Sequence, residues 1–121
     1  MRTRKISCFV IVCNEEDRIE RCLQSLSGWV DQLIVLDSGS KDNTVAIAQQ
    51  YADKVYQTDW PGFGPQRNRA LTWCEHDWVL NIDADEVMTD ALKAEIDAVL
   101  SEPDLQENLF KMPWHTYFFG K

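Results

Sequence analysis

The 121-residue sequence lacks several features that mark common classes of protein. No apolar run approaches the ~18–20 residues that a membrane-spanning helix needs. Basic residues are outnumbered by acidic ones, 12 to 20, and the net charge of −8 argues against a general nucleic-acid or anionic-membrane surface. The four cysteines form no Cys-x-x-Cys pair and the two histidines are far apart, so we expect no zinc site.

The N-terminal segment also lacks the features of an export signal. The apolar run from Ile6 to Cys13 is short, acidic residues follow it, and there is no small-residue cleavage site. Three of the four cysteines fall on apolar positions, and we interpret the cysteines as free thiols of the core. Free thiols are typical of a reducing compartment, so we expect a cytoplasmic protein.

The apolar residues that are present alternate between two spacings. Apolar runs typical of strands begin near Ile6, Val30 and Trp78, a shorter strand is predicted from Lys54, and a segment with helical spacing follows each. The clearest helical face consists of Ile19, Cys22, Leu23 and Leu26. The pattern β-α-β-α-β-α-β-α predicts one α/β domain over residues 1–121, with a Rossmann-like, mostly parallel sheet and flanking helices.

Local signals place the helix ends. Asn14 is a candidate N-cap for the first helix, and Thr89 for the fourth. Two glycines and two prolines between Pro61 and Pro65 predict a loop, with the third helix running from Gln66 to Cys74. The aromatic segment from Asn108 to Phe119 contains a proline, so we interpret it as an edge strand or an irregular extended piece.

Two aspartates, Asp83 and Asp85, follow the fourth apolar run with one residue between them. In an extended backbone the side chains of residues i and i+2 leave the same face, so we expect the two carboxylates to point together. At ~5–6 Å and an effective dielectric of ~20, their repulsion amounts to about 3 kcal/mol. A divalent cation with oxygen ligands would offset it. A turn open to water is the alternative, and the pair alone does not decide between them.

Polar residues also follow the other strands of the predicted sheet. In open α/β sheets, ligands bind outside the carboxyl ends of the strands, so these residues are candidates for one shared site. They are Asn14 and Glu15 after strand one, Asp37 and Ser38 after strand two, Arg67, Asn68 and Arg69 after strand three, and Asp83, Asp85 and Glu86 after strand four.

Several of these residues have a structural as well as a functional interpretation. Asp37 is either a turn former or an acceptor for a base or ribose. Arg67 and Arg69 are either solvated charges or partners of a phosphate or carboxylate. Among the tryptophans we assign Trp73 and Trp78 to the core and leave Trp60 open between core and substrate platform. His115 is a less favoured candidate for a metal or substrate ligand.

Four motifs together resemble the family 2 glycosyltransferases with the GT-A fold. They are Val10-Ile11-Val12-Cys13-Asn14-Glu15-Glu16, Ile34-Val35-Leu36-Asp37-Ser38-Gly39-Ser40-Lys41-Asp42-Asn43-Thr44, Gly64-Pro65-Gln66-Arg67-Asn68 and Leu80-Asn81-Ile82-Asp83-Ala84-Asp85-Glu86. The resemblance covers nearly the whole chain. Within the family the sequence looks most like the lipopolysaccharide core glycosyltransferases of Gram-negative bacteria, which include transferases of glucose to the inner core.

The resemblance implies a role for each site residue. Asp37 would contact the uracil or ribose of a UDP-sugar, with Glu15 nearby. Asp83, the first aspartate of the Asp-x-Asp motif, would hold the ribose or sugar side, and Asp85 would ligate Mg²⁺ or Mn²⁺. Arg67 and Asn68 would line the donor pocket.

The resemblance also implies what lies outside this sequence. Family 2 enzymes invert the anomeric centre and need a general base, which in the family follows the aspartate pair in the second half of the domain. No candidate for that base lies between Glu86 and Lys121, so we expect the chain to be the N-terminal, donor-binding half of a longer protein. The acceptor would be a lipopolysaccharide core or another glycan, at the cytoplasmic face of the inner membrane.

Two alternatives remain at this point. The half-domain alone could bind UDP and metal without transferring a sugar, and its aromatic C-terminal segment could mediate self-association. Asp83-Ala84-Asp85-Glu86-Val87 also fits the signature of haloacid-dehalogenase-type phosphatases, although that signature normally follows the first strand of its fold. We consider the phosphatase much the weaker alternative.

Overall fold

The computed structural model describes residues 4–103, 109–111 and 117–120. In these ranges strands and helices alternate along the chain until the last two strands. The elements are β1 (Ile6–Val12), α1 (Ile19–Leu26), β2 (Gln32–Asp37), α2 (Thr44–Gln49), β3 (Lys54–Gln57), α3 (Phe63–Trp73), β4 (Trp78–Asn81), α4 (Asp90–Val99), β5 (Leu109–Lys111) and β6 (Tyr117–Gly120).

The strands form one sheet in the order β3-β2-β1-β4-β6-β5. The first four strands of that order run parallel, with Phe9 of β1 opposite both Ile34 of β2 and Asn81 of β4. Strand β6 is antiparallel to β4, and β5 is antiparallel to β6. The predicted α/β fold with a mostly parallel sheet is therefore confirmed, and the aromatic segment contributes two short strands where we expected one extended piece.

Both faces of β1, β2 and β4 are buried, as their continuous apolar sequences predict, whereas β3 has no buried residue. Alternate residues of β1 show the division, since Cys8 and Val10 belong to one core cluster and Phe9 to the other. Helices α1, α2 and α4 cover the first face, and α3 covers the second. The predicted face of α1 is confirmed in full, because all four of its apolar residues are buried.

Two predicted helix boundaries are wrong. Helix α3 begins at Phe63, three residues before the prediction, because Pro65 falls in the first turn, where a helix tolerates a missing N–H. Asn14 does not cap α1, which begins at Ile19; its backbone has a positive φ of 54° and turns the chain after β1. Thr89 does cap α4, since its hydroxyl accepts a hydrogen bond from Leu92 N at 3.1 Å.

Among the described residues, no helix combines the length and the apolar character that crossing a bilayer would require. His115 and the aromatic side chains of residues 108–119 lie outside the part whose side chains are described, so the predictions made for them stay predictions.

Candidate functional site

The loops after β1 and β2 are joined by hydrogen bonds at the carboxyl edge of the sheet. Asn14 N donates to Ser40 Oγ at 2.7 Å, and Asn14 Oδ1 accepts from Lys41 N at 2.8 Å. Ser38 N donates to Val12 O at 3.0 Å. The backbone of Asn14 is left-handed, a conformation that asparagine tolerates better than most residues. Its backbone N–H and its side-chain Oδ1 both form hydrogen bonds with the loop after β2.

Asp37 lies at the centre of the β2 loop and is only 1% exposed. Its Oδ2 accepts hydrogen bonds from Gly39 N at 3.2 Å and Ser40 N at 2.9 Å, and its Oδ1 accepts from Ser40 Oγ. Gly39 has a φ of 92°, a conformation that favours glycine. The structure thus places Asp37 in the turn-forming role that the sequence left open, and its proposed contact with a nucleotide stays a prediction.

A second set of hydrogen bonds joins the same loops one turn further along. Glu15 N donates to Thr44 Oγ1 at 2.9 Å, and Asp42 Oδ1 accepts from Thr44 N at 2.9 Å. Glu16 Oε2 accepts from Asn43 N at 3.1 Å. The hydrogen bonds from Thr44 hold the pKa of Asp42 below its usual value. These bonds fix the start of α2 against the end of β1.

A cleft of about 420 Å³ opens at this edge, beside the end of β1. Glu15 and Ser38 are the two candidate site residues in its described lining. Glu15 Oε2 is shielded from solvent and lies 3.0 Å from Arg18 Nε. The other lining residues are Ile11, Val12, Cys13, Trp60 and Phe63. Cys13 is exposed, which corrects our assignment of all four cysteines to the core, while Cys8, Cys22 and Cys74 are buried as expected.

A buried glutamine connects the cleft to the third strand and to α3. Gln66 is 0% exposed, and its Nε2 donates to Ser38 Oγ at 3.1 Å and to Thr58 Oγ1 at 2.5 Å. Arg69 Nη1 donates to Gln66 Oε1 at 3.1 Å and pairs with Asp59 Oδ1 at 2.6 Å. The hydrogen bond from Arg69 lowers the pKa of Asp59. One carboxamide therefore ties the ends of β2 and β3 to α3.

The two aspartates after β4 lie in an exposed turn. Strand β4 ends at Asn81, and the turn is closed by a hydrogen bond from Glu86 N to Asp83 O at 3.0 Å, while Asp83 N donates to Glu86 Oε1 at 3.0 Å. The extended geometry from which we predicted parallel side chains is therefore wrong for this pair, because the strand ends two residues earlier. Asp83 and Asp85 are nevertheless both exposed at the carboxyl edge.

The charge of this acidic turn acts on the helix beneath it. Cys22 of α1 donates from Sγ to Asp83 O at 3.5 Å. Burial, and then the negative charges of Glu86, Asp85 and Asp83, raise the pKa of Cys22 to about 12. The negative charge of the turn therefore adds to the effect of burial in keeping the Cys22 thiol protonated.

The donor atoms of the turn suit a hard divalent cation, but they do not form a complete cage. The described residues contain no group of three or more metal-ligating side chains in a suitable arrangement. Mg²⁺ is commonly held by one or two carboxylates, with the phosphates of the substrate and water completing its shell. An open pair of exposed aspartates fits that kind of site, in which the ligand supplies the missing oxygens.

Arg67 and Asn68 are exposed on α3, and neither is among the residues that line the cleft in the described part of the chain. Gln66, beside them in the same motif, is the residue that the structure makes central, and we had given it no role. The sequence offered one signal that Gln66 is buried, since it lies four residues before Ala70 and therefore on the same face of α3. Ser38, a candidate for the shared site, and Trp60, which the sequence left open between core and substrate platform, both line the cleft.

The sequence matches the family model for glycosyl transferase family 2 over residues 7–105, which includes both the cleft and the acidic turn. The chain belongs to glycosyl transferase family 2. Family membership removes the phosphatase alternative. The position of Asp83 agrees with that outcome, because Asp83 follows the fourth strand and the phosphatase signature normally follows the first.

Two curated relatives illustrate the range of similar glycosyltransferases. An uncharacterized glycosyltransferase of Rickettsia bellii is 44% identical over 99 residues, which are 82% of this chain and 34% of the relative. The lipopolysaccharide core biosynthesis glycosyltransferase LpsC of Rhizobium meliloti is 35% identical over 104 residues, or 82% of this chain and 38% of LpsC. The chain therefore spans little more than a third of these relatives.

A solved structure shares the fold. Glucosyl-3-phosphoglycerate synthase of Mycobacterium tuberculosis, in complex with Mn²⁺, UDP and phosphoglyceric acid, superimposes with a TM-score of 0.73 at 32% identity. The match covers 90% of this chain and 43% of the synthase. It confirms the predicted GT-A type of fold, and this chain corresponds to somewhat less than half of that protein.

Proposed function

We propose that this chain is the donor-binding part of an inverting glycosyltransferase that takes its sugar from a UDP-sugar, with the assistance of a divalent cation. One observation carries the proposal: an acidic turn and a cleft of about 420 Å³ lie at the same carboxyl edge of a family 2 sheet. A structural neighbour that binds UDP and Mn²⁺ together supports the choice of ligands.

Each site residue has a task in this proposal. Glu15 accepts a hydrogen bond from the nucleoside, because its carboxylate lines the cleft. Asp83 faces the ribose or sugar, and Asp85 ligates Mg²⁺ or Mn²⁺. When bound, the cation neutralises the charge that develops on the departing diphosphate. Arg67 and Asn68 are exposed on α3, and in the proposal they line the donor pocket.

Asp37 acts through the loop that it builds. Its carboxylate already accepts hydrogen bonds from Gly39 N and Ser40 N. Its four oxygen lone-pair sites leave room for one further donor, such as a base N–H, beside the bonds already made. We therefore keep Asp37 as a nucleotide contact in the proposal, with shaping the loop as its first task.

We assign no residue of this chain to the binding of the acceptor. A lipopolysaccharide core or another glycan is the acceptor we propose, on the strength of the 35% identity to LpsC. The general base would follow Lys121, so residues 1–121 should bind UDP and metal without transferring sugar. Work on such an acceptor would place the enzyme at the cytoplasmic face of the inner membrane.

Calorimetric titration of the folded chain with UDP, with and without Mn²⁺, tests the proposal. We expect weak binding that Mn²⁺ strengthens, and we expect Asp85→Ala to lose the strengthening. Asp77→Ala is the matched control, since Asp77 is also exposed but precedes β4 at the opposite edge of the sheet. Absence of UDP binding in both conditions would sink the donor-site assignment.

A further inference from the structure

Two large aromatic side chains stand exposed at the mouth of the cleft. Trp60 is 49% exposed and Phe63 is 64% exposed, although both are large enough to form part of a core. Their rings meet edge to face, with centroids 4.9 Å apart and planes at 87°. This arrangement leaves two adjoining aromatic side chains exposed to solvent in the lining of the cleft, where a ligand could contact them.

The cleft that this pair borders has apolar walls and few polar groups. Ile11 and Val12 of β1 lie in the wall with the aromatic pair, and Glu15 and Ser38 supply a carboxylate and a hydroxyl. Its volume of about 420 Å³ is in the range of small-ligand sites. A flat, mostly apolar group with a hydrogen-bonding edge fits such walls better than a charged phosphate, since the described lining contains no cationic side chain.

The aromatic pair is held in place before any ligand arrives. Thr58 and Asp59, which precede it, are joined to α3 through Gln66 and Arg69. Phe63 is itself the first residue of α3, after Gly62 with a φ of 108°. Because the segment is fixed at both ends, little conformational freedom is lost when a ligand packs against it.

We propose that Trp60 and Phe63 form an aromatic wall that stacks against the nucleobase of the donor. The proposal rests on the proposed function, since it assumes a nucleotide in this cleft. Base–aromatic stacking is strong enough to contribute a large part of a weak affinity. The base lies between the wall and the end of β1, with Glu15 at its polar edge, and the diphosphate points out of the cleft.

Titrations of two ligands separate the base from the phosphates. The wild-type chain, Trp60→Ala and Phe63→Ala are titrated with UDP and with pyrophosphate, both in the presence of Mn²⁺. We expect Trp60→Ala to weaken UDP about tenfold, a smaller loss for Phe63→Ala, and no change in pyrophosphate affinity for either. Trp60→Phe should retain most of the UDP affinity, because it keeps an aromatic face.

Tyr51→Ala is the matched control, an aromatic truncation at the end of α2 on the opposite face of the sheet, and it should leave both affinities unchanged. Quenching of tryptophan fluorescence by UDP should be largely lost in Trp60→Phe. Absence of UDP binding by the wild-type chain would overturn both the proposed stacking on the aromatic wall and the proposed function. UDP binding that Trp60→Ala and Phe63→Ala leave intact, or equal losses for UDP and pyrophosphate, overturns the wall alone.

Discussion

The carboxyl ends of β2 and β4 carry the same residue type and use it in opposite ways. At the end of β2, Asp37 is 1% exposed and accepts hydrogen bonds from two backbone N–H groups and a serine hydroxyl. Beyond the end of β4, Asp83 and Asp85 are exposed in a turn. Strand β1 lies between the two, so both ends belong to one edge of the sheet.

The difference in burial separates an aspartate that stabilises its own loop from aspartates whose carboxylates face solvent. A buried carboxylate that accepts several hydrogen bonds stabilises its own loop and has little capacity left for a cation. Exposed carboxylates in a turn contribute little to stability, and their exposure leaves them accessible to solvent and ions. The β2 end therefore provides a rigid wall for the cleft, and the β4 end provides the negative charge.

The largest expected effect is a loss of stability when the aspartate at the end of β2, and not one beyond the end of β4, is replaced by alanine. Asp37→Ala should lower the free energy of unfolding by about 3 kcal/mol, because it leaves buried backbone donors without an acceptor. Asp85→Ala, the control at the other end of the comparison, should change stability by no more than about 0.5 kcal/mol. Urea denaturation of both variants measures the difference. Equal losses would show that the two ends are not distinct.

Gln66→Leu should have the next largest effect, about 2 kcal/mol, since it leaves the hydroxyls of Ser38 and Thr58 without their donor. The variant extends the comparison by testing whether the β2 end depends on α3. Gln24→Leu is the control, because Gln24 is exposed and its amide donates a hydrogen bond to Tyr51 Oη at 3.0 Å. Both are read from urea denaturation. A Gln66→Leu variant as stable as Gln24→Leu would refute the connecting role.

The outcome of the sequence analysis follows the same division. The apolar periodicities of β1 and α1 predicted the sheet and its covering helices, because burial of one continuous run leaves few alternative arrangements. The site depended on loop geometry, which periodicity does not encode. The left-handed backbone at Asn14 and the early start of α3 at Phe63 both escaped the local signals. Gln66 was missed because its importance arises from partners that are distant in sequence.

Thr89→Ala tests how the β4 end is kept in place although its aspartates are exposed. The Thr89 hydroxyl caps α4 directly after the acidic turn, and its loss should cost about 1 kcal/mol. Thr72→Ala is the matched control, since Thr72 is exposed inside α3 and its hydroxyl donates a hydrogen bond to Asn68 O of the same helix. Thermal or urea unfolding measures both. If Thr89→Ala cost no more than Thr72→Ala, the cap would not anchor the turn.

The smallest effect is a difference in thiol reactivity that leaves stability untouched. Cys13 lies exposed at the cleft, and Cys22 lies buried under the acidic turn with a pKa raised to about 12 by burial and by the charges of Glu86, Asp85 and Asp83. At pH 8 a thiol with that pKa is ionised to roughly one part in 10⁴, and only the thiolate reacts.

Iodoacetamide at pH 8 should therefore modify Cys13 in the folded chain well before Cys22, as peptide mass spectrometry would show. Cys8 is the internal reference for a thiol protected by burial. It is buried in the same core cluster as Cys22, and burial raises its pKa. If Cys22 reacted much faster than Cys8 in the folded protein, the acidic turn would have to open readily. The β4 end would then differ from the β2 end in its rigidity as well as in its exposed charge.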